Sequence, residues 1–392
     1  MDWFNTAYFA HENGTYDLWR SVYPPLSFVF LKVAGNGACY VNGPLPARDC
    51  DTFGIVAIFT FYVLGSALAW RAFHLQDAST AKFRGIAFAL SLPWLFTLER
   101  GNLILVCFCF FVLAHGNLVK SPWLRAIGLA VTINFKPYLV VPAAAWALKR
   151  KWRLLELSAI ITVLLYCVTF SLFGAGSPAE LWSNTLNFLV HGNAIIWEQV
   201  YYSTSFVPFS EFNTHRFPTR DFIESKTVDW FFFTIPFLVN GARLLVVLCL
   251  LGAWLQPQAV STPRLSLMVL GAYLIGSSPG GYAEAFLIFL LFLERWERPG
   301  PIVALVAGYL LCVTWDLVLS RVLYQFGDSW LSGRPVEFWF GISAGIFLRP
   351  ALVIIMVVAL ALDSLGLIAR AHRQHRPVLA MQLAEQPRSA AA

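Results

Sequence analysis

The sequence predicts an all-α, polytopic integral membrane protein. Of its 392 residues, 58% are hydrophobic and only 13% are charged, which is about half the charged fraction of a soluble domain. Long apolar runs repeat from residue 53 to residue 366, as they do in proteins that cross a bilayer many times. The 15 Trp residues suit extensive membrane–water interfaces. We therefore expect one membrane domain over residues 1–376 and a disordered cytoplasmic tail over residues 377–392.

The apolar runs predict a bundle of about 9–11 transmembrane or broken helices. Several runs are shorter than the roughly 20 residues that cross a bilayer, and such helices occur where they line a cavity or pack against protein. Pro137 and Pro142 permit a break inside one run. The runs cover residues 53–73, 83–98, 102–118, 123–147, 154–174, 228–256, 264–278, 282–295, 301–322 and 342–366, with a shorter piece at Pro25–Ala34.

Basic clusters between the runs predict the orientation, because cytoplasmic loops are enriched in Lys and Arg. All four basic clusters can lie on the cytoplasmic side if the run 123–147 forms a broken hairpin that enters and leaves the membrane on that side. The net charge of +6 is then an orientation signal, and we expect no nucleic acid partner. The clusters are Arg71 with Lys82 and Arg84, KRKWR at 149–153, Arg295 with Arg298, and RAHRQHR at 370–376.

The same topology places the polar segments on the extracytoplasmic side of a bacterial inner (plasma) membrane. Because the side chains suited to chemistry gather in these segments, we expect an active site that faces the periplasm or exterior. Cys39 and Cys50 share one external loop and can pair if it faces an oxidising compartment. The external segments are 1–52 and 175–227, with shorter ones at 99–102, 277–282 and 323–341.

The first 25 residues carry the most specific motif. They read DWFNTAYFAHENGTYDLWRSVYPP (2–25), and the order Asp2, Tyr8, Gly14, Tyr16-Asp17, Tyr23-Pro24-Pro25 resembles the first external loop of polyprenol-phosphate-sugar-dependent glycosyltransferases of the GT-C class. The similar branch contains bacterial mannosyltransferases and arabinofuranosyltransferases. The resemblance covers most of residues 2–160, and beyond them only the hydropathy agrees. Members of that family have a helix before the aspartate, so we expect either such a helix upstream of Asp2 or insertion of the short piece Pro25–Ala34 with the N-terminus already outside.

The resemblance implies a GT-C-like bundle and an inverting transferase. A hexose or pentose, with mannose the first guess, would pass from a polyprenyl-phosphate donor to a lipid-linked or glycan acceptor beside the membrane lipids. The sequence has no CxxC or His-rich pattern, no Gly-Lys-Ser/Thr phosphate loop and no Rossmann glycine pattern. We therefore expect no metal and no cofactor, and a lipid-linked donor is favoured over a nucleotide sugar.

Asp2 is the catalytic base that the resemblance implies. A carboxylate can take the proton from the acceptor hydroxyl as that oxygen attacks the anomeric carbon. The residue type and position alone favour a disordered terminal acid, and only the resemblance reverses that preference. Asp17 is the alternative base, and its other possible role is to cap a turn or helix.

Four further polar residues are candidates for substrate binding inside or beside apolar runs. Glu99, Arg100 and Asn102 share a tight turn, where a guanidinium binds a lipid phosphate or is simply solvated at the interface. Lys136 interrupts an apolar run, and a lysine at membrane depth costs roughly 2.5–3.5 kcal/mol. That cost favours a phosphate partner, although a lysine can also extend to the interface.

Tyr23 and His191 complete the predicted set. Tyr23 precedes two prolines that fix an extended entry into the next apolar piece, and we include it among the substrate contacts. His191 lies in the aromatic, amide-rich loop 175–227, as a contact to the donor phosphate or as a residue of the interfacial belt.

The alternative function, from another class, is a transporter or flippase for a lipid or small solute. It too would have broken helices and intramembrane charges, such as Glu284 and Asp316. The sequence shows no internal repeat, and its polar groups gather on one side, so the transferase is favoured. A non-catalytic membrane scaffold is the third possibility.

Overall fold

The computed structural model describes residues 2–12, 14–191, 204–206, 224–277, 280–328 and 334–384. This part of the chain is mostly helical, as the composition predicts. The first half contains α1 (Asp2–His11), α2 (Pro25–Ala34), α3 (Pro44–Cys50), α4 (Thr52–Gln76), α5 (Ala78–Ala89), α6 (Leu92–Arg100), α7 (Ile104–His115), α8 (Pro122–Phe135), a 3₁₀ helix (Pro137–Ala143), α9 (Ala144–Leu148), α10 (Trp152–Phe173) and α11 (Pro178–His191).

The second half adds helices and one β-hairpin around the same core. Buried apolar side chains from Trp3 to Ile368 form one hydrophobic cluster, so both halves contribute to it. The elements are α12 (Ser225–Leu255), α13 (Thr262–Leu274), α14 (Glu284–Leu291), α15 (Pro299–Leu311), β1 (Val318–Asp328), β2 (Pro335–Ser343) and α16 (Gly345–Ala384).

Four helices in the described residues are long and apolar enough to cross a membrane. They are α4, α10, α12 and α16, and they correspond to four of the predicted runs. Only 11% of the apolar window of α10 and 17% of that of α12 are buried inside the protein. Such outward-facing apolar surface is unfavourable in water, so these helices suit a hydrocarbon surrounding.

The predicted break inside the run 123–147 is confirmed. Helix α8 ends at Phe135, Lys136 is extended, and the 3₁₀ helix begins at Pro137. The residue before a proline disfavours the helical conformation, which explains why the chain leaves the α-helix at Lys136. By contrast, the single helix predicted at 83–98 is wrong, because Ser91 caps a new helix by accepting a hydrogen bond from the Trp94 N–H.

The all-α prediction is wrong between Val318 and Ser343. Residues 318–328 and 335–343 form the two antiparallel strands of a hairpin, in which Tyr324 pairs with Trp339. Helix α15 ends at Leu311, well before the predicted end at residue 322. Asp316 fixes the base of the hairpin. It accepts hydrogen bonds from the Ser343 hydroxyl and the Gly345 N–H, both at 2.8 Å.

Helix α16 continues to Ala384, into the segment 377–392 for which the composition predicts disorder. The remaining residues of that segment, 385–392, lie outside the described part. Arg370 and Arg373 of the last basic cluster therefore belong to this helix.

The bundle has two ends that differ in charge. Helix α4 runs between these two ends: it begins beside Asp51, near Asp2, and it ends at Gln76. We call the end where α4 begins the Asp2 end, and the end where it finishes the opposite end. At the opposite end Lys149 donates to the Pro257 carbonyl, so the KRKWR segment lies there. The predicted role of Arg84 as a cytoplasmic orientation charge is wrong. Arg84 is fully buried and donates to the Phe292 carbonyl, so it is not a solvated charge.

Candidate functional site

Asp2 belongs to the first turn of helix α1 and is therefore not a disordered terminal acid. Trp3, Phe4, Ala7 and Ala10 of that helix are buried, so its apolar face packs into the core. A carboxylate in the first turn is also stabilised by the partial positive charge of the helix N-terminus. The Asp2 side chain is 21% exposed, which leaves it accessible.

A disulfide-closed loop holds one side of α1. Cys39 and Cys50 are joined by a disulfide, which realises the pairing that the sequence left open. Within this loop the Tyr40 ring stacks on His11 at the end of α1, with centroids 5.1 Å apart. The loop thus fixes the C-terminal end of the helix that begins with Asp2.

Asp51, directly after the disulfide, organises the other contact with α1. It accepts hydrogen bonds from the Tyr40 hydroxyl, the Asn36 N–H and the Gly54 N–H. A Cβ at Gly54 would lie 2.8 Å from the Trp3 indole nitrogen, so the start of α4 and Trp3 are in close contact. Both ends of α1 are therefore fixed by one folded segment.

The turn 99–102 brings two predicted residues to Asp2. The buried Asn102 donates its amide N–H to one Asp2 oxygen across a hundred residues of sequence, and the Arg100 guanidinium lies 3.6 Å from the other. Gly101 makes this turn possible with φ of +55°, and a Cβ there would lie 2.9 Å from the Ile58 side chain. Asn102 is itself held by the Ile104 N–H, which donates to its side-chain oxygen at 3.0 Å.

Lys136 and Tyr23 form the second polar contact. The Lys136 ammonium donates to the Tyr23 hydroxyl at 3.1 Å and lies 4.2 Å from the centre of the same ring. The ammonium also lies 6.0 Å from the Tyr282 ring. The lysine is thus turned toward aromatic groups of the protein, and cation–π contacts of this kind stabilise its charge.

Aromatic rings connect the two cations. Tyr282 stacks on Phe96 at 6.1 Å, and the Arg100 guanidinium lies 5.9 Å from the Phe96 ring. Phe96 is not among the predicted site residues, although it lies four residues before Arg100 on one helix, the spacing at which helical side chains meet. Tyr282 was predicted only to end the short external segment 277–282.

Tyr23 lies between Lys136 and Asp2. Burial and then the Asp2 charge raise the pKa of the Tyr23 phenol, while Thr6 and Arg100 act in the opposite direction. Tyr23 therefore stays neutral near pH 7 and keeps its proton. Asp2, Arg100, Asn102, Tyr23 and Lys136 are thus neighbours, and we refer to these five residues as the Asp2 cluster.

The other predicted residues fall elsewhere. Glu99 is exposed beside Arg100. Asp17, the alternative base, is also exposed, and its carboxylate accepts a hydrogen bond at 2.8 Å from the Leu18 N–H, which is the turn-forming role. His191 ends α11, and its side chain lies outside the described part.

Asn184 shows that part of the loop 175–227 has a structural role. Its amide donates to the Tyr16 carbonyl at 2.7 Å and to the Ser21 carbonyl at 3.3 Å. It therefore holds α11 against the turn that carries Asp17. The residues 192–203 and 207–223 of this loop lie outside the description.

The buried polar groups that have no hydrogen-bond partner within the described residues include one tyrosine and one glutamate near the cluster. The Tyr138 hydroxyl is one, and its ring stacks on Tyr273 at 5.9 Å. The fully buried Glu284 carboxylate is the other. Asp316, the second intramembrane acid of the sequence, has a partner in Arg349 at 3.3 Å.

Known proteins do not assign this chain to a family. No family model, no curated protein and no solved structure matches the chain. Among the described residues, no group of three or more His, Cys, Asp or Glu side chains is placed to hold a metal ion. The chemistry of the site is therefore argued from the Asp2 cluster itself.

Proposed function

We propose that the chain is a membrane glycosyltransferase of the GT-C class that uses a polyprenyl-phosphate sugar. The observation that carries the proposal is the Asp2 cluster. A partly exposed carboxylate is oriented by Asn102 and Arg100, and a second cation, Lys136, lies beyond Tyr23. A base and a separate anion-binding group in one place are what glycosyl transfer from a phosphate requires.

In the proposed reaction, Asp2 takes the proton of the acceptor hydroxyl. The acceptor oxygen attacks the anomeric carbon from the side opposite the phosphate, and the bond from that carbon to the phosphate oxygen breaks. The polyprenyl phosphate leaves with the electron pair, and the configuration at the anomeric carbon inverts. Arg100 and Lys136 stabilise the negative charge that develops on the leaving phosphate.

Asn102 has a definite chemical role in this proposal, which is to orient Asp2. The Asn102 amide occupies one carboxylate oxygen, so the other oxygen is directed toward the acceptor. The Arg100 guanidinium lies 3.6 Å from that other oxygen and helps to fix its direction.

The Asp2 end is proposed to face the periplasm or exterior of a bacterial plasma membrane. The Cys39–Cys50 disulfide packs beside α1, and disulfides persist in oxidising compartments. The basic KRKWR segment lies at the opposite end, and Lys and Arg are enriched in cytoplasmic loops, so that end is proposed to face the cytoplasm. Mannose, as the first sugar to test, and a lipid-linked or glycan acceptor rest on the sequence resemblance.

The test is release of free polyprenyl phosphate by purified full-length protein in nanodiscs. It uses a panel of polyprenyl-phosphate mannose, arabinose, glucose and galactose with extracted glycolipids as acceptors. One donor should support release by the wild type. Asp2→Asn should lower the rate by about 10²–10⁴-fold, the usual contribution of a general base.

Asp17→Asn is the matched control, because it changes a nearby exposed acid in the same way. It should keep the wild-type rate. Release that persists in Asp2→Asn and stops in Asp17→Asn would move the base to Asp17. No release from any donor would contradict the transferase, and sugar-lipid counterflow would then test the transporter alternative.

A further inference from the structure

A cavity of about 270 Å³ lies at the opposite end of the bundle, far from the Asp2 cluster. It is slightly smaller than the roughly 300–1,000 Å³ of sites for drug-sized ligands, so it suits a compact polar group. The end of α4, the starts of α13 and α15, the turn after α14 and one position of α16 enclose it. Its polar lining consists of Gln76, Ser261, Arg264, Glu294, Arg295 and Arg298, together with Glu297.

The floor of the cavity is a fixed network of buried charges. The Arg264 guanidinium donates to both Glu294 oxygens and, at 2.6 Å, to Asp363. Its side chain is only 5% exposed. Because two carboxylates engage this buried arginine on all three nitrogens, its charge is already compensated within the protein. Its role is to hold α13, α16 and the turn after α14 in place around the cavity.

The mouth of the cavity has more hydrogen-bond donors than acceptors. Arg298 forms one ion pair, from a single guanidinium nitrogen to Asp363 at 3.0 Å, and its side chain is 29% exposed. Arg295 pairs only with Glu297, at 3.3 Å on the surface, where such a pair is weak. Both arginines thus have guanidinium N–H groups that other described residues do not use.

The helix starts at the cavity have partners within the protein. Ser261 caps α13, since its hydroxyl accepts from the Arg264 N–H. The N-cap of α15 is Arg298, which forms no side-chain cap, but the Asp363 side chain lies against Gly300 in the first turn of this helix, where an acid offsets the partial positive charge. Three arginines and two glutamates line the space, and Asp363 forms ion pairs with two of these arginines. The guanidinium N–H groups that Arg295 and Arg298 leave unused therefore favour a ligand with several oxygen acceptors.

We propose that this cavity binds a phosphate ester at the end of the protein opposite the Asp2 cluster. The ligand is the phosphate of a phospholipid headgroup from the adjoining leaflet, or that of a small soluble phosphate ester. Arg298 and Arg295 bind its oxygens, and the apolar Leu293, Pro301 and Leu367 at the same cavity contact the carbon atoms that it carries. This site does not depend on the proposed transferase activity.

The test is isothermal titration of the full-length protein in a maltoside detergent, which contains no phosphate. Dihexanoyl phosphatidic acid and glycerol 3-phosphate are titrated separately. Arg298→Gln should weaken binding about tenfold, as expected for loss of one charge-assisted contact. Arg370→Gln removes an exposed arginine of the same end and should change the affinity less than twofold. Binding of both ligands identifies a soluble ester, and binding of the lipid alone identifies a headgroup.

Three results would overturn the proposal. They are no measurable heat with either ligand, wild-type affinity in Arg298→Gln, and equal losses in Arg298→Gln and Arg370→Gln, which would indicate general attraction to a basic surface. Arg295→Gln breaks only an exposed pair and serves where Arg298→Gln elutes as aggregate in gel filtration. It too should weaken binding, and unchanged affinity in that variant contradicts the site.

Discussion

At the residue scale, Lys136 is the residue of the Asp2 cluster that we propose binds a phosphate. The sequence left two roles open for it, phosphate binding and extension to the membrane interface. Its ammonium donates to Tyr23 and lies close to two aromatic rings, so the side chain is directed into the protein. These neutral partners leave its positive charge uncompensated, which suits an incoming anion.

We therefore expect Lys136→Gln to lower kcat/KM for the polyprenyl-phosphate donor by about tenfold or more, because one charge-assisted hydrogen bond is worth about 1.5–3 kcal/mol. Glutamine keeps a donor for Tyr23 and removes only the charge. The control is Lys120→Gln, at an exposed lysine toward the opposite end. Equal rates in both variants, measured by phosphate-lipid release, would remove Lys136 from the site.

The sequence selected the charged and amide residues of the cluster but not its rings. Arg100, Asn102 and Lys136 stand out because polar side chains are rare inside or beside apolar runs, whereas Asp2 was selected through the resemblance of residues 2–25. Phe96 does not stand out, since 16% of the chain is aromatic, and no local pattern distinguishes a ring at a site from a ring in the core. Its role follows only from tertiary contacts that join distant segments.

At the scale of elements, α1 depends on a histidine stack. His11 contacts Tyr40 of the disulfide-closed loop. Burial and then the Lys32 charge lower the pKa of His11 below its usual 6.5, with Asp51 and Glu12 acting in the opposite direction. A histidine with a lowered pKa in the folded state binds a proton more readily when unfolded. Its contribution to stability is therefore present above pH 6.5 and declines as the pH falls through that value.

We predict that the thermal midpoint of the wild type falls between pH 7.5 and pH 5.5 by more than that of His11→Phe. Phenylalanine keeps the ring stack, worth about 0.5–1.5 kcal/mol, and cannot be protonated. The measurement is tryptophan fluorescence during heating of both proteins in the same detergent. Parallel pH profiles would show that His11 protonation does not weaken the attachment of α1.

Other elements show which local signals can be read from sequence. The break at Lys136 was predictable because two prolines impose it. The hairpin at 318–343 was not, since a short apolar run has the same composition in a buried helix and in a strand. The break before α6 depends on one serine cap, whose weak signal lies inside an otherwise apolar run.

At the scale of the whole molecule, the two ends of the bundle differ in chemistry. The Asp2 end has the disulfide and a carboxylate with two nearby cations, whereas the opposite end has the basic segment 149–153 and the arginine-lined cavity. Hydropathy and charge predicted this polarity, although the contacts that create each end come from residues far apart in sequence. The same charge difference predicts a fixed orientation in the membrane.

This orientation predicts opposite labelling of two exposed positions. In a Cys167→Ser background, which removes the exposed free thiol of α10, Asp17→Cys should react with a membrane-impermeant maleimide in intact bacterial spheroplasts. Lys120→Cys should react only after the membrane is opened, since α7 carries the chain from the Asp2 end to the opposite end before it. Labelling of Lys120→Cys in intact spheroplasts would invert the topology. It would place the Asp2 cluster in the cytoplasm, where its disulfide would be reduced.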